Sequence, residues 1–112
     1  MTNPQGCRLE IEVGDRTLVR LSGELDAPDT RSARKLLTAY IRAGTTIVVD
    51  LVAVTRVDPS GLTALVDLHE LARQQGSRLV LVTGEGGGPA HRALESAGLI
   101  GTVEVRQVLA DG

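Results

Sequence analysis

The chain has 112 residues, a length that fits one domain with one hydrophobic core. Hydrophobic residues make up 42% and charged residues 23%, which is typical of a folded domain and argues against disorder. Twelve Lys and Arg against fourteen Asp and Glu give a net charge of −2, so there is no basic surplus for nucleic acid or anionic membranes. The single cysteine, Cys7, excludes an internal disulfide and a Cys-rich zinc site, and favours a cytoplasmic location.

Two further classes of function are excluded by what the sequence lacks. No apolar run approaches the ~20 residues of a membrane span, and the first residues lack the basic and apolar regions of a secretory signal. Tyr40 is the only aromatic residue, so no aromatic platform is present on which nucleic-acid bases could stack. We expect no membrane insertion and no nucleic-acid partner, and a flexible N-terminal tail over residues 1–7.

Alternation of apolar and polar residues predicts an opening hairpin. Leu9, Ile11 and Val13 alternate with charged residues, which indicates a strand with one wet face. Residues 14–15 are a turn signal, and residues 16–21 form the second, antiparallel strand. A helix then begins at Asp26 as its N-cap and ends at Gly44. Its apolar residues recur at helical spacing: Ala33, Leu36, Leu37, Tyr40 and Ile41.

The second half of the chain alternates strands and helices. Residues 45–51 and 78–82 are rich in β-branched and aliphatic residues, as expected of strands buried on both faces. Residues 52–57 are predicted to be a connection. Helices are predicted from Asp58 to about Gln75 and over residues 89–97, and a last strand over residues 102–105, with a half turn of helix after it. This order predicts a single α/β domain with a mixed sheet.

The start of the helix after Asp58 is the most informative segment. Asp58 is suited to cap the helix, and Pro59 stands at the first helical position, where its missing N–H costs nothing. Ser60 and Gly61 complete an exposed first turn, and the positive end of a helix dipole favours an anion such as phosphate. The capping rules explain the same residues without any ligand, so the segment is either a binding turn or simply a well-capped helix.

One face of this helix carries a second stripe outside its core-facing arc. Leu62, Val66, His69 and Arg73 follow each other at helical spacing, and the two apolar members are expected to be partly exposed. They are either a docking stripe for a partner or ordinary surface apolar residues. If they are a docking stripe, Leu62→Asp is expected to abolish partner binding with little loss of stability.

The sequence gives weak support to an enzyme. Ser60 and His69 lie roughly 13 Å apart along one helix, too far for a nucleophile and its base, although His91 could approach from another helix. The Gly84–Gly88 loop follows a strand but lacks the Lys-Ser/Thr of a phosphate-binding loop, and nucleotide binding there is a minor alternative. No metal-ligand spacing is present. We expect no catalytic residue, no metal and no cofactor.

Four segments together resemble the STAS domain of bacterial anti-sigma factor antagonists, and the likeness covers residues 8–110. They are LSGELD (21–26), IVVDL (47–51), VDPSGL (57–62) and ALESAGL (93–99). The resemblance implies a small α/β domain that acts by binding an anti-sigma factor, usually a serine kinase of the histidine-kinase-like fold, and so frees a sigma factor. The kinase phosphorylates a serine of the antagonist, a phosphatase reverses this, and the added charge drives the partners apart.

This chain departs from the family motif at the residue that is phosphorylated. The acceptor serine of the family directly follows the Asp, and Pro59 stands there, so the switch is absent or moved to Ser60. By the same motif, Asp26 is expected near the 58–62 turn, either as part of the partner surface or as a helix cap only. The expected partner-binding residues are Asp26, Asp58, Pro59, Ser60, Gly61, Leu62 and Val66.

A second function from a different class fits the same resemblance. Some STAS-like proteins resemble accessory subunits that sit on the ATPase of lipid-transporting ABC complexes. Such a subunit needs no phosphoacceptor, so Pro59 agrees with this alternative better than with a phosphorylated antagonist.

Overall fold

A five-stranded mixed sheet organises the chain. The computed structural model describes residues 8–25 and 35–108, and the predicted tail (1–7), Asp26 with the first part of its predicted helix (26–34), and the final half turn lie outside them. The strands are β1 (Arg8–Val13), β2 (Thr17–Leu25), β3 (Thr46–Val57), β4 (Arg78–Val82) and β5 (Glu104–Arg106). Helices α1 (Pro59–Gln74) and α2 (Pro89–Ser96) follow β3 and β4, and residues 35–38 are helical.

Sheet topology agrees with the predicted mixed α/β class. The strand order is β1-β2-β3-β4-β5. The β1–β2 hairpin is antiparallel, and β2, β3, β4 and β5 pair in parallel. Strands β3 and β4 are the predicted buried strands, since residues 47–49 and 79–82 are all buried. Crossovers through helices are what parallel neighbours require, and α1 supplies the one between β3 and β4.

The core is aliphatic. Leu65, Leu68 and Ala72 of α1 and Ala90 and Leu94 of α2 belong to one buried cluster with residues from the sheet. Cross-strand register puts the sheet residues of this cluster on one face, because side chains alternate along a strand. They include Val19 and Leu21 of β2, Ile47 and Val49 of β3, and Leu79 and Leu81 of β4.

The predicted connection over residues 52–57 is wrong, because β3 continues to Val57. Beyond Asp50, where its pairing with β4 ends, β3 stays paired with β2 through two register shifts. These irregularities change the side-chain period, so Leu51, Val54 and Val57 pack on the core at a spacing of three residues. A search for strict alternation misses such a strand. Strand β2 correspondingly extends to Leu25, beyond the predicted end at residue 21.

Other element boundaries differ by smaller amounts. Among the described residues the helix before β3 ends at Thr38 rather than near Gly44, and bonds from Tyr40 N to Leu37 O continue it as a turn. Leu36, expected on the apolar face, is 45% exposed. Strand β5 begins at Glu104, two residues later than predicted. Helix α1 stops where expected, since Gly76 has φ +74°, a conformation that glycine adopts without strain.

Helix α2 packs against β3. Its position is possible because β4 ends at Val82 while β3 continues, so the edge of β3 from Leu51 onward has no strand beside it on that side among the described residues. Gly84, just after β4, lies close enough to Val52 that a Cβ there would meet the valine methyls at 3.5 Å. The far half of β3 is therefore held between β2 and α2, and it supports the start of α1.

Candidate functional site

The site is built where β2 and β3 end and α1 begins. Asp58 has extended backbone (φ −88°, ψ 172°) and is the N-cap, and its Oδ1 accepts a hydrogen bond from Gly61 N at 2.9 Å. Pro59 is the first helical residue, as the sequence predicts. Leu62 N donates to Asp58 O at 3.1 Å, and Thr63 Oγ1 donates to Pro59 O at 3.0 Å. The turn is thus a well-formed helix start.

The end of β2 is joined to this turn by backbone contact. Asp58 N donates a hydrogen bond to Leu25 O at 3.2 Å. Gly61 is buried against the same carbonyl, and a Cβ on Gly61 would stand 2.7 Å from Leu25 O and 3.0 Å from Val57 Cγ1. No ordinary side chain contact is that short, so the position takes glycine. The close approach that Gly61 permits is to Leu25 of the chain itself.

The exposed part of the turn is small. Pro59 and Ser60 are exposed, whereas Leu62 and Val66 are half-buried. Leu62 packs against the core cluster. Leu62→Asp would place a charge against these apolar groups, and its effect on stability and on partner binding stays a prediction. Arg73, at the end of the same stripe, is exposed and pairs with Glu70 at 3.3 Å.

A cavity of about 230 Å³ opens beside the turn. It is lined by Glu24, Leu25, Arg56 and Asp58, and Glu24 and Arg56 are register partners on β2 and β3. Sequence reasoning missed Glu24, Leu25 and Arg56 as site residues, because their neighbourhood depends on the bulged pairing of two strands. A signal was present for Glu24 and Leu25, which both lie within the LSGELD motif, and none for Arg56. A larger cavity of about 330 Å³ lies elsewhere, along β1–β3, and includes Arg20 and Asp50.

The two histidines have neighbours other than Ser60, the candidate nucleophile. His91 Nδ1 lies 3.3 Å from Thr83 Oγ1, a hydroxyl buried at the end of β4. His69 Nδ1 is buried and has no hydrogen-bond partner among the described residues, and it lies 3.9 Å from Glu70 Oε1. Within the part of the chain that the structure describes, neither His69 nor His91 forms a hydrogen bond with Ser60. In the described parts of the chain, no three His, Cys, Asp or Glu residues are grouped to hold a metal ion.

The glycine-rich loop after β4 has the backbone its composition suggests. Gly84, Gly86, Gly87 and Gly88 all have positive φ, and Gly87 packs against the His91 ring, which a Cβ would meet at 3.5 Å. Gly88 caps α2 without a side-chain hydrogen bond.

No helix within residues 8–25 and 35–108 is long and apolar enough to cross a membrane.

A family model described as "Mlab, STAS domain" matches residues 9–107. The chain belongs to the STAS domain family. The anti-sigma factor antagonist from Mycobacterium paratuberculosis has a similar structure, with a TM-score of 0.74 and 25% identity over 97% of this chain and 92% of that one. No curated protein sequence matched this chain.

Two more anti-sigma factor antagonist structures share the STAS fold. SpoIIAA in its unphosphorylated form gives a TM-score of 0.68 at 20% identity, covering 91% of this chain and 90% of that one. A putative antagonist from Thermotoga maritima gives 0.69 at 19% identity, covering 90% and 87%. The suspected family and the α/β fold are therefore confirmed, and the fold of this chain is that of an anti-sigma factor antagonist.

Proposed function

We propose that this STAS domain is an anti-sigma factor antagonist that binds a kinase-type anti-sigma factor in the cytoplasm and so frees a sigma factor. The observation that carries the proposal is the exposed Pro59–Ser60 turn, held by Asp58 and Gly61 against the end of β2. Its position at the end of two paired strands leaves it accessible to a partner. The proposed partner surface consists of Asp58, Pro59, Ser60, Gly61, Leu62 and Val66, with Asp26 expected beside them.

The proposed antagonist differs from its family in how it is switched. Pro59 offers no hydroxyl where the family carries the acceptor serine. Ser60 is exposed and could receive phosphate, but the turn offers few donors to hold it. Pro59 has no N–H, Gly61 N is bonded to the Asp58 carboxylate, and Leu62 N is bonded to Asp58 O. A phosphate on Ser60 would act through repulsion beside the Asp58 carboxylate rather than through a prepared binding turn.

The test is capture of the partner and measurement of its affinity. Full-length protein is used as bait in lysate of its host, the captured proteins are identified by mass spectrometry, and the purified partner is titrated by calorimetry. We expect a histidine-kinase-like anti-sigma factor, and Val66→Asp should weaken its binding at least tenfold. Val13→Asp is the matched control, because Val13 is 69% exposed at the far end of β1.

The switch is tested on the same complex. Incubation with the captured kinase and ATP, followed by peptide mapping, reports whether Ser60 is phosphorylated, with Ser60→Ala as the control. Phosphate on Ser60 would establish a moved switch, and an unmodified Ser60 an antagonist without one. A phosphatase is implied only in the first case.

The second candidate is an accessory subunit of a lipid-transporting ABC complex. Two observations favour it: Pro59 cannot be phosphorylated, and the matched family model carries the description Mlab rather than antagonist. Capture of a transporter ATPase in place of an anti-sigma factor would overturn the first proposal and support this one.

A further inference from the structure

We infer that Gly61 is a positioning residue, which sets the Pro59–Ser60 turn in fixed register with the end of β2 and thereby makes one binding surface from two segments. The inference rests on the proposed function for its binding consequence, and on the geometry alone for its structural one. Nothing in the glycine's own backbone requires it, because its φ is not positive. The requirement comes entirely from its neighbour.

The atom nearest to a Cβ added at Gly61 is a backbone oxygen, and for this reason the clash cannot be relieved by a side-chain rotation. A Cβ on Gly61 would lie 2.7 Å from Leu25 O. Flexible side chains could rotate away from such a contact, whereas a carbonyl in a paired strand cannot move without the strand. Since Leu25 is also paired with Val57 of β3, its backbone is held in the sheet. The helix start must therefore shift away from β2.

That shift of the helix start would weaken one long hydrogen bond. Leu25 O also accepts the Asp58 N hydrogen bond, which at 3.2 Å is already near the long end of its range. Displacing α1 lengthens this bond and moves Asp58, Pro59 and Ser60 together relative to Glu24 and Leu25. Helix formation itself would not suffer, because alanine favours helix over glycine. Gly61→Ala should thus change the position of the α1 start relative to the end of β2 more than it changes the conformation of either segment.

The test is Gly61→Ala in the full chain, with two readouts. Amide hydrogen exchange should become at least tenfold faster at Asp58, while amides in the middle of α1 keep their protection. Affinity for the anti-sigma factor identified above should fall at least tenfold. Gly14→Ala is the matched control, because Gly14 is exposed and its added Cβ would meet only Arg16 O at 3.9 Å. It should leave both readouts unchanged.

A double variant separates positioning from a simple core clash. The second contact of the added Cβ is Val57 Cγ1 at 3.0 Å, which Val57→Ala removes. If that side chain were the obstacle, Gly61→Ala/Val57→Ala would recover the exchange rate and affinity of Val57→Ala alone. We expect no recovery, because Leu25 O remains at 2.7 Å, the shortest of the three contacts, with Leu25 Cγ at 3.2 Å. Recovery would overturn the inference, as would unchanged exchange at Asp58 in Gly61→Ala.

The failures of the two proposals are distinguishable. If the wild-type chain binds no anti-sigma factor, the proposed function fails while the exchange result still decides the role of Gly61. If the wild type binds and Gly61→Ala binds equally well, the inference fails and the proposed function stands. Should Gly61→Ala not fold, wild-type exchange decides: the Asp58 amide must exchange as slowly as paired amides of β2, and exchange at the rate of an exposed turn would refute the link.

Discussion

Asp58 makes three hydrogen bonds that together define the start of α1. Its carboxylate accepts from Gly61 N, its carbonyl accepts from Leu62 N, and its own N–H donates to Leu25 O. The first two bonds belong to any capped helix, and the third ties the helix to a strand that precedes it by more than thirty residues. Only the first depends on the side chain. Substitution can therefore separate capping from tethering.

We predict that Asp58→Ala lowers the free energy of unfolding by about 1 kcal/mol, the usual cost of losing an N-cap. Asp58→Asn should retain most of that stability, because asparagine caps about as well as aspartate. Urea unfolding at neutral pH, followed by circular dichroism, measures both. Equal losses in the two variants would mean that the negative charge, and not the hydrogen bond to Gly61 N, stabilises the turn.

Among the secondary-structure elements, β5 is the shortest strand, and an ion-pair cluster fastens it to β4. Arg78 donates from Nε to Glu104 Oε1 at 2.8 Å and from Nη2 to Glu104 Oε2. Arg106 Nε donates to Glu104 Oε2 at 3.2 Å. The hydrogen bonds from Arg78 hold the pKa of Glu104 below its usual range, against a smaller opposing effect of burial. A three-residue edge strand has few ladder bonds of its own, so this cluster matters for its attachment.

The lowered pKa of Glu104 predicts how stability varies with pH. The contribution of a carboxylate with a depressed folded-state pKa is present above its unfolded value, about 4.3, and is lost as pH falls through the folded-state pKa. Glu104→Gln should therefore be less stable than wild type at pH 7, and the difference in unfolding free energy should narrow as the pH falls below about 4.3. Urea midpoints measured from pH 7 downward test this, with exposed Glu85→Gln as the control. A difference that does not narrow on acidification would assign the effect to packing.

At the scale of the whole molecule, stability depends on aliphatic packing, because Tyr40 is the only aromatic residue. Leu81, on β4 between β3 and β5, is completely buried in the core cluster. We predict that Leu81→Ala lowers the free energy of unfolding by about 2–5 kcal/mol, a large part of the total for a domain of this size. Val52→Ala, at a side chain 54% exposed, should change it by less than about 0.5 kcal/mol. Denaturant unfolding of both variants tests the contrast.

The sequence was sufficient for the architecture wherever a regular period holds. The hairpin, the buried strands β3 and β4 and helix α1 follow from alternation, aliphatic runs and capping residues. It was insufficient for residues 52–57, because bulges replace the period of two with a spacing of three. Such shifts depend on the pairing partner, here the end of β2 around Gly23, and no local pattern encodes them.

The candidate site was predictable to the same extent. The roles of Asp58 and Pro59 follow from rules that involve neighbours within one helical turn. The contact between Gly61 and Leu25 and the cavity with Glu24 and Arg56 join residues from separate strands, so they require the register. Helical spacing predicted that Leu62 is partly exposed, as the structure has it, but did not predict that its buried part contacts the core cluster. The placement of Asp26 stays a prediction.

The part of β3 that extends beyond its pairing with β4 also sets the distance between the Pro59–Ser60 turn and the glycine-rich loop. At about 3.3 Å per residue, the stretch from Val52 to Asp58 places the Pro59–Ser60 turn roughly 20 Å from Gly84. Glu85 in that neighbouring loop is exposed. A fluorophore attached through Glu85→Cys, with Cys7→Ser so that only one thiol is labelled, would lie away from the proposed surface, in the loop that contacts β3 at Val52. Energy transfer from this dye to a labelled partner would then report association in real time, in a chain whose own fluorescence is limited to one tyrosine.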